Sequence, residues 1–239
     1  NQTAASITLS PTSLSFGSSG DTATITAIVR DAAGTVISNP SMTWATSSSS
    51  VAAVSSDGLV TAVAAGTATI TATSGSASGT ATVTVNQTAA SITLSPTSLS
   101  FTSIGDGATL VATVRDAGGT VISNPTVTWA TSDTSVATVS SAGLVTAVAD
   151  GTATITATSG SVSATATATV NQTAASVTLS PTSVSFTSIG DTASLAATVT
   201  DAGGTVISDA DVTWATSSSS VATVSSAGLV TAVADGTAT

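Results

Sequence analysis

Gly66-Thr-Ala-Thr-Ile-Thr-Ala-Thr73 carries a strict period of two, with Ala68, Ile70 and Ala72 on one side and threonines on the other. That alternation is the mark of a half-buried β-strand. Upstream, Met42 and Trp44 share a face, and Val51, Val54, Leu59 and Val63 are assigned to two short strands about a turn at Asp57-Gly58. Downstream, a turn at 74–79 leads into Ala81, Val83 and Val85. Toward the N-terminus, residues 5–10 alternate, Pro11 punctuates, and Leu14 and Phe16 resume the alternation. This reads as an edge strand broken by a proline, where a missing N–H costs least. Gly20-Asp21 marks a turn, Ala23, Ile25, Ala27 and Val29 share a face, and Asp31-Ala-Ala-Gly34 ends the run. No segment shows a helical period. About seven short strands with turns every roughly eight to twelve residues predict a β-sandwich.

The same passage is written three times. Asn-Gln-Thr-Ala-Ala-Ser opens at Asn1, Asn86 and Asn171, a period of 85 residues. The expected domains are therefore 1–85, 86–170 and 171–239, each long enough to bury a small core. Thr239 aligns with Thr69, so copy three has no counterpart of residues 70–85. The expectation is that the 239 residues are an excerpt of a longer protein with further repeats. Copy one carries no surplus strand to donate. Trp44, Trp129 and Trp214 recur in the register of Met42, Val127 and Val212, on the inward face. They read as core residues rather than sugar-stacking platforms, as do Phe16, Phe101 and Phe186.

Composition narrows the chemistry. There is no Cys, His, Lys, Glu or Tyr; the charges are twelve Asp with Arg30 and Arg115, for a net charge of −10. No disulfide framework or thiolate metal site can form. Without histidine the usual general base is missing, and no enzyme is expected. The negative charge repels nucleic acid and anionic membranes, and no apolar run is long enough to span a bilayer. Disorder is excluded by the density of alternating Val, Ile and Thr.

Two acidic positions recur in every copy, Asp21/Asp106/Asp191 and Asp31/Asp116/Asp201. Within one copy ten residues of strand, roughly 33 Å, separate them. An up-and-down tracing instead places Asp21 and Asp116 at the same junction between copies. Applied to copies two and three, it sets Asp106, Asp133 and Asp150 opposite Asp201, Asp209 and Asp211. The first junction has fewer carboxylates, with Ser48, Ala65, Asn124 and Thr126 at the matching positions. Ca²⁺ is the cation such a cluster would take, stiffening the linker. The plainer reading is Asx-turn residues that keep the surface soluble.

Other signals are weaker. The arginine is replaced by Thr200 in copy three, so it is no repeated functional group. Asn1, Asn86 and Asn171 fit the glycosylation pattern, but the plain reading is unmodified linker asparagine. The outward Thr-x-Thr rows read as soluble β-formers before a glycan- or ice-binding face.

Trp44-Ala-Thr-Ser, Val51-Ala-Ala-Val, Gly58-Leu-Val-Thr-Ala-Val and the 66–73 strand resemble the group 2 bacterial immunoglobulin-like (Big) domains, over the whole chain in three copies. The resemblance implies an immunoglobulin-like sandwich found in tandem in intimin- and invasin-type surface adhesins and on phage virion proteins. It supplies no ligand and no site residues. The expected function is a non-catalytic spacer in a long extracellular bacterial surface protein. Each copy would add about 35–45 Å, judged from strands of roughly ten residues. Its expected partners are neighbouring repeats of the same chain and, at the variable loops 39–41, 124–126 and 209–211, cell-surface or host glycans and proteins. The alternative is a virion appendage.

Overall fold

A computed structural model of the chain describes residues 2–239, and the described residues form strands and turns throughout. Copy one contains β1 Ser6–Ser10, β2 Ser13–Phe16, β3 Thr22–Thr24, β4 Thr26–Arg30, β5 Thr43–Thr46, β6 Ala52–Val54, β7 Leu59–Ala62, β8 Gly66–Ser74 and β9 Ala77–Val85. In copy two the same series is β10 Ser91–Ser95, β11 Ser98–Phe101, β12 Gly107–Thr109, β13 Val111–Arg115, β14 Thr128–Thr131, β15 Ala137–Val139, β16 Leu144–Ala147, β17 Gly151–Ser159 and β18 Val162–Val170. Copy three has β19 Ser176–Ser180, β20 Thr192–Ser194, β21 Ala196–Thr200, β22 Ala222–Val224 and β23 Leu229–Ala232.

Nine strand segments per complete copy reduce to seven chain paths, because two paths are each cut in half. Proline explains the first cut. β1 pairs antiparallel with β4, then Pro11 interrupts, and β2 pairs parallel with β9. The expected edge strand is thus two half-strands serving different sheets; an unbroken period of two hides the change of partner. The second path divides at Ile25, between β3 on β7 and β4 on β1. The pairing orders in copy one are β2-β9-β8-β5, β3-β7-β6 and β1-β4.

The core lies between these layers. Ile25, Val60, Ile70, Ala72 and Val83 are fully buried, with Ala68, Ala81 and Val85 nearly so. Met42, Trp44, Val51 and Val54 are half-buried and pack against them. The two short strands about the Asp57-Gly58 turn are β6 and β7, and the structure sets the phase of β7. Leu59 and Val63 are 42% and 41% exposed, while Val60 and Ala62 face inward. The sequence Leu-Val-Thr-Ala-Val satisfies either phase. The inward one places Gly58, at φ +79°, under the Trp44 ring, where an added Cβ would lie 2.4 Å from the Ile25 carbonyl.

By compactness the chain divides into two units: Asn1–Ser95 with Val111–Thr128 and Ala157–Ala164, and Pro96–Leu110 with Trp129–Thr156 and Thr165–Thr239. In the first, β10 pairs with β13. In the second, β11 runs parallel to β18, β16 pairs with β12 and β15, β19 with β21, and β23 with β20 and β22.

Candidate functional site: the joints between copies

The linker is zipped on both sides. In the first unit, Asn86 N and Thr88 N donate to the carbonyls of Phe16 and Gly17, at 2.9 and 3.0 Å. Four residues on, Ala90 N donates to the Arg115 carbonyl at 2.8 Å. The second unit repeats the ladder: Asn171 N to Phe101 O, Thr173 N to Thr102 O, and Ala175 N to Thr200 O. Alternate backbone donors of the linker are thus spent on the copy before it and on the copy after it.

Asp116 closes the joint. Its Oδ1 accepts Thr120 N at 2.8 Å, shaping its own turn. Its Oδ2 accepts Gln87 Nε2 of the linker at 2.8 Å and Ser19 N from the turn of copy one at 2.9 Å. One carboxylate therefore ties together three stretches of chain. Asp201 does the same in the second unit, accepting Thr205 N at 2.8 Å, Gln172 Nε2 at 2.9 Å and Ile104 N at 3.0 Å. Both aspartates are only 2% exposed. Burial raises the Asp116 carboxyl, but the bonds from Gln87, Ser19, Thr120 and Gly118 outweigh it and hold its pKa below the ordinary 3.8. Asp201 is also held low, first by Gln172, against burial, with Thr205, Ile104 and Gly203 adding to it. In copy one, Gln2 Nε2 reaches Asp31 Oδ2 at 3.1 Å, and no amide of another copy joins it among the described residues. Asp31 is correspondingly half-buried rather than buried.

The up-and-down tracing put Asp21 and Asp116 at one junction, and they are there: Asp21 Oδ2 accepts Ser18 N at 3.0 Å, one residue before the amide taken by Asp116. The six carboxylates of the second junction are not one cluster. Among the described residues no three acidic side chains gather closely enough to hold a metal ion. Asp201 is committed to the clamp. Asp133 accepts Ser135 N within its own loop, where the Ser135 hydroxyl first and its amide next keep it below the usual value. Asp150 accepts Gln172 N at 2.7 Å, a bond copy one cannot make with Ala65. Asp106 sits in its own turn, its carbonyl accepting Ala147 N. Asp150, Asp209 and Asp211 do line one groove of about 770 Å³ in the second unit, each exposed at its rim.

The role of the glutamine escaped the sequence reading. Its signal was a constant separation of 29 residues from the aspartate in all three copies. Arg30 and Arg115 each donate from Nη1 to the carbonyl of Gly34 or Gly119, bracing the same turn. Asn86 and Asn171 are exposed at the linkers, while Asn1 lies outside the described residues. The outward Thr80, Thr82 and Thr84 are exposed.

Close approach at the joint makes a glycine necessary. A Cβ on Gly118 would stand 2.8 Å from the Ser19 carbonyl, and one on Gly203 3.3 Å from the Ile104 carbonyl. Copy one has Ala33 at this position, so the turn itself accepts a methyl group. Gly118→Ala is expected to weaken docking at the first joint by on the order of 1–2 kcal/mol and leave each copy folded. Amide exchange at Ser19 should accelerate roughly tenfold with no change in the thermal midpoint. Unchanged Ser19 exchange would show that the turn yields instead.

The sequence profile of the bacterial Ig-like domain (group 2) family matches residues 3–85, 88–170 and 173–239. The chain belongs to that family. Among solved structures, the group 2 repeats resemble the S-layer protein rSbsC at 23% identity over 94% of this chain and 35% of that one, with a TM-score of 0.35. They resemble the Escherichia coli adhesin FdeC at 19% identity over 95% and 87%, TM-score 0.43. The Yersinia pseudotuberculosis adhesin InvE matches at 15% identity over 69% and 58%, TM-score 0.40. The chain spans about a third of the S-layer protein's length. No curated protein matches it.

Proposed function

We propose that the chain is a non-catalytic spacer of a long extracellular bacterial surface protein, setting other domains at a distance from the surface that bears them. The carrying observation is the joint, one buried aspartate gathering a linker glutamine and a preceding turn amide, built twice with the same bond pattern. A site for catalysis needs one good constellation; a spacer needs a reproducible joint, because angular error accumulates along an array. Membership in a family of tandem Ig-like domains supports the reading. So does the narrow alphabet, which offers no base stronger than aspartate. Its partners are then the neighbouring repeats, and contact with host glycans is secondary.

A glycan array probed with the 239-residue chain tests this. A blank array supports spacing as the function; saturable binding to one glycan class would move the function to recognition. The flanking sequence supplies the second test. A secretion signal and a surface anchor fit the proposal, whereas capsid or tail domains would overturn it in favour of a virion appendage.

A further inference from the structure

Asp116 and Asp201 make the same clamp, but the residues around the two clamps differ. Gln87 Nε2 and Ser19 N reach Asp116 at 2.8 and 2.9 Å; Gln172 Nε2 and Ile104 N reach Asp201 at 2.9 and 3.0 Å. So close a match gives the clamp itself no reason to hold one joint better than the other. Three neighbouring positions supply a reason, and all three favour the second joint.

The first position is an acceptor for the linker. Asp150 Oδ1 takes Gln172 N at 2.7 Å, a bond that runs from the turn before β17 into the linker. Copy one has Ala65 there, whose methyl group accepts nothing. The second position is the residue whose amide enters the clamp. Ile104 is half-buried and lines one groove with Ala174 of the linker and Val206 and Ile207 of copy three. Ser19, its counterpart, brings little apolar surface, and its hydroxyl is turned back to the Val63 carbonyl of its own copy. The third position receives the linker ladder. Thr88 N donates to Gly17 O in the first unit and Thr173 N to Thr102 O in the second. A glycine released from its partner has more backbone states open to it than a threonine, which favours opening at Gly17. Against these, Gly118 approaches the Ser19 carbonyl more closely than Gly203 approaches that of Ile104, but this adds no bond.

We propose that the first joint is a built-in hinge and the second a rigid coupling, so that the array yields between copies one and two and holds between copies two and three. One bond to a charged acceptor and one half-buried isoleucine make the second joint open on the order of tenfold less often than the first. The asymmetry is written in side chains at the joints, outside the cores, and holds whatever the array carries.

Amide exchange followed by NMR on the full 239-residue chain reads both joints at once. The amides at positions 19 and 104 each end on a clamp carboxylate, so each reports the opening of its own joint. Corrected for intrinsic rates, Ser19 is expected to be about tenfold less protected than Ile104. Ser19→Ile with Ala65→Asp should raise protection at position 19 to about the level of Ile104. Ile104→Ser with Asp150→Ala should lower position 104 to about the level of Ser19. The amides of Ile70 and Ile155, in the cores of copies one and two, should keep their exchange in both variants. The hinge is overturned if positions 19 and 104 are equally protected in the unaltered chain, or if either pair of substitutions leaves its joint as it was. It is overturned as well if the core amides shift in step with the joint, since the fold and not the joint would then be responding.

Discussion

Gly143→Ala is expected to destabilise copy two by about 2–5 kcal/mol. Gly143 stands at φ +79°, and a Cβ there would fall 2.5 Å from the Leu110 carbonyl and 2.9 Å from the Trp129 ring. The Leu110 carbonyl is held in place. Leu110 is 1% exposed, and its own amide donates to the Gly143 carbonyl at 2.9 Å. The left-handed backbone alone costs an alanine about 1–2 kcal/mol, and forced overpacking adds about 1–3. The control is Gly105→Ala, also at positive φ (+89°) but with nothing within 4 Å of the added methyl. It should lose only the backbone part. Urea denaturation followed by Trp129 fluorescence, with Trp44 and Trp214 replaced by Phe, separates the two. Equal losses would show that the Trp129 contact carries no weight.

Asp116→Ala should release the first joint. The substitution leaves the Ser19 and Thr120 amides and the Gln87 side chain without their acceptor. Bonds to a charged acceptor are worth about 1.5–3 kcal/mol each, and water recovers part of that at an opened joint. A net loss of docking of about 2 kcal/mol is expected, roughly a thirtyfold acceleration of Ser19 exchange. Copies one and two should keep their own melting behaviour, since the lost bonds lie outside both cores. The same joint should respond to acid. Because the folded carboxyl lies below 3.8, its contribution is fully present above that value and is lost as pH falls through the lowered pKa. Ser19 exchange in the unaltered chain, corrected for its intrinsic pH dependence, should therefore stay protected at pH 5 and lose protection below 3.8. Protection surviving Asp116→Ala would assign the docking to the linker ladder alone.

What could be read from the residues depended on whether one pattern or two fitted them. The 66–73 strand admits a single phase, and Ala68, Ile70 and Ala72 are buried as that phase requires. Residues 59–63 admit two; the structure turns Val60 and Ala62 inward and seats Gly58 against Trp44, a contact that the local alternation does not reveal. The proline at 11 was legible as a break but not as a change of sheet, because side-chain alternation is blind to which neighbour takes the hydrogen bonds. At the joints, repetition located the aspartates correctly. Their chemistry was less visible: six negative charges suggest a cation, whereas Asp116 and Asp201 are satisfied by amides. Gln87 and Gln172, uncharged and inside a linker, gave only their spacing as a clue.

The parallel pairing of β2 with β9 has a mechanical meaning. Near its beginning and at its end, copy one runs side by side in the same direction, with Ser13 opposite Thr82 and Phe16 opposite Val85. Tension applied to the two ends of that copy pulls these strands past each other along their length. The hydrogen bonds between them are then loaded in shear, all together, rather than peeled one at a time. Copy two repeats the arrangement with Ser98 opposite Thr167 and Phe101 opposite Val170. Under such tension, a sheet edge that looks like a detail of topology would be a part of the fold that bears load.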